Sequence, residues 1–258
     1  MDYETAAEAK SMSGLRISLT KGVPAPWSES AKAMLKIKGI PYIAVEQLAG
    51  TANEDLVAWT GHRNAPTAMY EEEPPRVTWL DILNLVERLQ PEPPLVPERI
   101  NDRITMHGLM NEIAGENGML WSTRQIMFRA MADALGEDAV ADSPMFRDYR
   151  YSREATDAAI QRAIGILRRL EEQLTDQSAN GSPYFVGDRL SAVDLYWACF
   201  SQTLDPLPQD VNPMPDSLRT TWASATAVMG GAGYTPHQCL FDHRNRIFED
   251  YIGLPLTF

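Results

Sequence analysis

"FVGDRLSAVDLYWACF", residues 185–200, starts with a turn and ends as a stretch that is apolar nearly all round. Ser191-Ala-Val-Asp194 is a capping box. The serine hydroxyl accepts from an N–H three residues on, and the aspartate reaches back to the start of the helix. A helix with no polar face belongs at the centre of a bundle. "SANGSP" breaks the chain before it, and the proline-rich 206–215 breaks it after. On both sides the apolar spacing is helical. Helices are expected at 101–114, 118–135, 154–176, near 216–229 and near 236–252. In the third of these, Ile160, Ile164, Leu167, Leu170 and Leu174 share one face. Cys199, inside the apolar run, reads as a core residue.

Upstream the pattern changes. "LQPEPPLVPERI", residues 89–100, has four prolines and cannot be a helix interior. It reads as a linker and divides the chain into a leader (1–14), a first domain (15–90), the linker proper (91–100) and a helical second domain (101–258). In the first domain, "LRISL" (15–19) alternates like a strand. Pro26 suits the first turn of a helix. Met34, Leu35 and Ile37 give that helix an apolar face, and Gly39 closes it. "IPYIAVEQ" is a second strand, and "NEDLVAWTG" a short helix closed by glycine. "APTAMYEEEPPRVTW" offers two short strands around an acidic turn. Thr78 then caps a helix with Ile82, Leu85, Val86 and Leu89 on one face. The order is β-α-β-α-β-β-α, with the first two strands parallel across a right-handed crossover. The leader "MDYETAAEAKSMSG" has no basic and apolar signal-peptide regions and reads as loosely ordered.

Charge and composition narrow the function. The net charge of −12 argues against non-specific binding to nucleic acid or anionic membrane. No apolar run approaches the about 18 residues of a membrane helix. The two cysteines and four histidines form no ligand-spaced cluster, so no metal site is expected. The expected location is cytoplasmic.

Gly187, Ser191 and Asp194 sit where the glutathione S-transferases carry an F-x-x-G-x-x-x-[ST]-x-x-D segment, which this stretch resembles. "KIKGIPYIAVEQL" resembles the same family's helix end and second strand. "NAP", residues 64–66, resembles its [QKN]-[VA]-P turn. The resemblance covers nearly the whole chain after residue 14. It implies an α/β thioredoxin-like N-terminal domain followed by an all-α helical bundle C-terminal domain. It also implies glutathione as co-substrate, a small hydrophobic electrophile as second substrate, and a homodimer.

The resemblance carries site residues with it, and some depart from the pattern. Pro66 falls on the family's cis-proline, which turns the backbone of the preceding residue, here Ala65, toward glutathione. Twelve residues on, Thr78 keeps the hydroxyl that receives the γ-glutamyl end at a helix N-terminus. Val77 replaces the acidic or amide residue before it. Arg76 and Asp81 are the nearby charges. Ala25 occupies the position of the family's cysteine or serine. Ser28 and Thr20 are the remaining hydroxyls for stabilising a thiolate; Ser28 reads equally as a first-turn helix residue. Lys21 is a third polar group in the loop. Trp27 packs at the domain edge or lines the cleft. "NEIAGENGMLWSTRQIM" (111–127) is the expected electrophile wall, with Glu116, Trp121 and Arg124, or else interhelical core. "YRYSR" (149–153) is placed near the same opening. Two functions follow: thiolate attack by glutathione on the electrophile, or a non-catalytic ligand-binding or interaction protein of the same fold. Thiol-disulfide exchange on the chain's own thiol is disfavoured, because residues 15–30 contain no cysteine.

Overall fold

In the computed structural model, which describes residues 1–258, Ala6–Ala9 forms α1 and Leu15–Thr20 forms β1. Then come α2 (Pro26–Lys38), β2 (Ile43–Gln47), α3 (Glu54–Thr60), β3 (Thr67–Tyr70) and α4 (Trp79–Leu89). The sheet order is β2-β1-β3. β1 runs parallel to β2 and antiparallel to β3, which is the thioredoxin-like arrangement. Gly39 ends α2 at φ 63°, in the left-handed region that glycine enters without penalty. The Ala65–Pro66 peptide is cis, as the resemblance implied.

Two expectations for this half are corrected. The fourth strand is reduced to one bridge, Ala68 with Arg76. Pro74 and Pro75 immediately precede it and have no N–H to extend a ladder. The leader is not loose. Thr5 and Glu8 close a capping box, and Glu4 bridges Val45 of β2. Ala6 and Ala9 join Val45, Leu56 and Met69 in a small buried cluster. Buried Arg16 of β1 donates to the carbonyls of Met12 and Glu71 and so holds the segment down.

The helical half has α5 (Ile100–Ala114), α6 (Met119–Leu135), α7 (Glu137–Ala141), α8 (Pro144–Asp148), α9 (Arg153–Ala179), α10 (Ala192–Ser201), α11 (Asp216–Gly231) and α12 (Gln238–Ile247). A π-helical turn, Phe248–Ile252, follows. The short α7 and α8 were not foreseen. They are too brief to show a period, and their apolar Val140 and Phe146 pack with Phe128 and Ala132 of α6. The glycine-bearing loop between α5 and α6 separates the two helices as expected and packs closely on the end of α5. A Cβ on Gly115 would lie 2.6 Å from the Asn111 carbonyl oxygen, and one on Gly118 would lie 2.7 Å from that of Glu112.

α10 is the axis of the bundle, and every one of its residues is buried. It packs on α2, α5 and α12, so one core joins the two halves. Cys199 lies in that core as a free thiol, and burial pushes its pKa up. Lys38 adds a polar fastening. Its ammonium is fully buried, 2.6 Å from Glu87 of α4, and it donates to the Pro91 carbonyl at 3.0 Å. Glu87 also accepts from Leu95 N–H. Lys38→Met should destabilise the fold by about 3 kcal/mol, because the Glu87 carboxylate is left without its charge partner. Chemical denaturation would measure this, and an unchanged midpoint would refute it.

Candidate active site

The loop after β1 leads into α2, whose N-cap is Ala25 in extended conformation. No side chain caps the helix, and Pro26 opens its first turn. The first N–H groups of α2 are therefore left without a side-chain acceptor, which makes this end of the helix attractive to an anion.

Around this helix start, polar groups form one chain. Ser28 is buried, with 1% exposure. Its Oγ accepts from Thr20 N–H at 3.1 Å and lies 3.5 Å from Thr20 Oγ1. Thr20 Oγ1 donates to Gln47 Oε1 at 2.9 Å. Gln47 Nε2 donates to the Arg63 carbonyl at 3.2 Å. The chain thus runs from the start of α2, across β1 and β2, to the loop that ends in the cis-proline. Gln47 has no signature in the sequence, since its role depends on strand pairing that brings it beside Thr20. Lys21 points away from this chain and pairs with Glu46 at 2.8 Å.

Ala65 and Pro66 are half-buried at the end of that loop. Thr67 N–H donates to Ser18 Oγ and Thr67 Oγ1 to the Asn64 carbonyl, which fixes the turn. At the start of α4, Thr78 Oγ1 accepts from Asp81 N–H at 3.1 Å and donates to Asp81 Oδ2 at 2.7 Å. Both residues are occupied in capping the helix. Arg76 is paired with Glu73, which also holds Arg88. Val77 is 37% exposed and brings no polar group.

Trp27 joins the halves. Its indole N–H donates to the Ala114 carbonyl at the end of α5 at 3.1 Å. Its ring meets Phe200 edge-on at 5.1 Å. On the α6 side, Trp121 lies 4.5 Å from the Tyr149 ring, and the Arg124 guanidinium sits 5.2 Å over the same ring. Exposed Glu116 pairs with Arg150 at 3.4 Å. Residues 149–150 thus meet the residues of the expected wall. Asp148, just before them, forms an ion pair with Arg63 of the first domain. Nothing in the sequence pointed to that pair, which spans 85 residues.

The sheet, the cis-proline, the bundle around α10 and the join along α2 define a two-domain protein with a thioredoxin-like unit and a helical unit. Residues 153–225 match the family model of the glutathione S-transferase C-terminal domain. A glutathione S-transferase from Methylobacterium radiotolerans in complex with glutathione sulfonate has the same fold. The TM-score is 0.58 at 16% identity, over 89% of this chain and 93% of that one. One from Methylobacillus flagellatus with glutathione bound gives 0.57 at 12%, over 89% and 98%. The nitrogen regulation fragment of the yeast prion protein Ure2p gives 0.56 at 11%, over 90% and 96%. No curated protein sequence matches the chain. Residues 153–225 thus resemble the C-terminal domain of the glutathione S-transferases, and the chain has the fold of the solved members of that family.

Proposed function

We propose that the protein binds glutathione against the first domain and uses its thiolate to attack a small hydrophobic electrophile. The sulfur forms a bond to the electrophilic carbon, and the leaving group departs with the bonding pair, or the electrons shift into an adjacent π system. The observation that carries this reading is the start of α2. It is uncapped and tied through Ser28, Thr20 and Gln47 to the loop before the cis-proline. A thiolate placed there gains from the helix dipole and the unpaired N–H groups. In the same proposal Ala65, Pro66, Val77, Thr78, Arg76 and Trp27 surround the glutathione. Glu116, Trp121 and Arg124 line the electrophile side. Residues 15–90 and 101–258 act as the two functional units, and the chain pairs with itself.

The test is calorimetry with glutathione, followed by a conjugation assay with an aryl halide. No binding at millimolar glutathione overturns the reading. Ser28→Ala and Thr20→Ala separate the hydroxyls. A loss of about 100-fold in kcat/KM for one of them identifies it as the thiol-stabilising group. Rates equal to that of the unaltered protein for both variants would exclude each and leave the helix N-terminus as the stabilising element.

A second reading has its own observation. Ala25 carries no hydroxyl or thiol, and the hydroxyls of Ser28 and Thr20 already have partners within the fold. A protein that binds glutathione without conjugating it would be a ligand-binding or interaction module. Binding with no turnover would select this reading.

A further inference from the structure

Arg124 has no partner that explains it. It projects from α6, half-buried, and its Nε is buried with no acceptor. Its nearest polar contact is the Met145 thioether, with Nη1–Sδ at 3.8 Å. A thioether is a weak acceptor, and a guanidinium has five N–H donors in a planar fork. The Tyr149 ring, 5.2 Å away, holds the guanidinium by its face. That contact orients the cation and leaves its donors unspent. The acidic groups nearby are committed elsewhere, Glu116 to Arg150 and Asp148 to Arg63. In a chain with 35 acidic and 23 basic residues, a half-buried cation without a carboxylate calls for an explanation. Around it lie Trp121, Met145 and Tyr149, all partly exposed and mostly apolar. Gln125 Nε2 pins the Tyr149 carbonyl at 2.5 Å and so fixes the shelf.

We propose that Arg124 receives a carboxylate on the second ligand, so that the molecule bound beside Trp121 and Tyr149 is an apolar, aryl-type carboxylate rather than a neutral hydrophobe. The fork of the guanidinium matches the two oxygens of a carboxylate. The aromatic shelf accepts the apolar body. This names the electrophile's class and rests on the functional reading above, but its test does not require that reading to hold.

The test uses paired ligands that differ only in charge. 4-Phenylbenzoate and 4-phenylbenzamide are titrated onto the full-length protein without glutathione, with tryptophan fluorescence as the readout. S-(4-carboxybenzyl)glutathione and S-benzylglutathione are titrated in parallel. The carboxylate of each pair should bind about tenfold more tightly. Arg124→Gln should bring that ratio to about one, and Arg124→Lys should restore part of it. Equal affinities within the free pair in the wild-type protein overturn the proposal. So does a ratio that survives Arg124→Gln. If neither glutathione derivative binds while the benzoate preference holds and depends on Arg124, the glutathione reading fails and this inference stands.

Discussion

Asp194→Ala should lower the stability of the protein by about 4 kcal/mol. For a chain of this size that corresponds to a melting shift of roughly 8–16 °C. The carboxylate is completely buried. It accepts from Ser191 N–H, Ser191 Oγ–H and Phe185 N–H, each at 2.9 Å. Its Oδ1 also lies 3.1 Å from His243 Nε2 on α12. One side chain therefore starts the central helix, holds the preceding loop and meets the last helix. Alanine leaves these groups in the core with neither partner nor water. The cost is that of orphaned buried donors, which exceeds the net worth of the bonds themselves. Asp194→Asn should fall between, since it keeps one acceptor oxygen but turns a donor toward groups that also donate. Ser191→Ala should cost only about 1 kcal/mol, the usual loss of a cap. The Asp194→Ala protein that remains folded should bind glutathione as the unaltered chain does, because the residue touches the core and not the cleft. A melting shift below about 2 °C would refute the structural role.

The parts of the fold legible in the sequence are those specified by neighbours in the chain. Ser191 and Asp194 are three residues apart and need only a helix to meet. Gly39 and Gly61 end helices by backbone conformation alone. Pro66 announces its turn through the two residues before it. The parts that were hidden depend on distant partners. Polar composition made residues 1–14 look loose, yet Ala6 and Ala9 find Val45, Leu56 and Met69. The acidic turn near residue 72 looked like a hairpin, but the prolines after it leave one bridge. The site divides in the same way. Ser28 and Thr20 were visible as hydroxyls near the helix start. Their mutual hydrogen bond exists because the loop after β1 folds the start of α2 back onto the end of that strand, and the relay through Gln47 exists because β1 and β2 pair in a particular register. Arg76, Asp81 and Thr78 were visible as polar groups beside Val77, but their partners are one another's neighbours rather than a free cleft.

Ala25→Cys should install a reactive thiolate, and this tests the start of α2 without any appeal to glutathione. Ala25 is the N-cap, with φ −61° and ψ 120°, and a side chain at an N-cap accepts from the N–H groups one turn into the helix. A cysteine there places sulfur against those donors and the positive end of the dipole. Both favour the thiolate and lower the thiol pKa, to about 7 or below. The chain's own thiols will not mask it. Burial pushes Cys199 well up, and burial followed by the nearby acidic groups raises Cys239. Alkylation by iodoacetamide at pH 6.5 should therefore be at least about tenfold faster in the variant, with a titration midpoint about 1.5 units or more below an ordinary thiol. With glutathione disulfide, the new thiolate should attack one sulfur, form a mixed disulfide and release glutathione thiolate. A midpoint at or above that of a free cysteine would mean that this helix end does not favour an anion. The thiolate chemistry proposed for the site would then lose its main support, because Ser28 and Thr20 are already hydrogen-bonded within the fold. A lowered midpoint would show that the helix itself supplies the stabilisation, and that a hydroxyl at residue 25 is dispensable for holding a sulfur anion in this position.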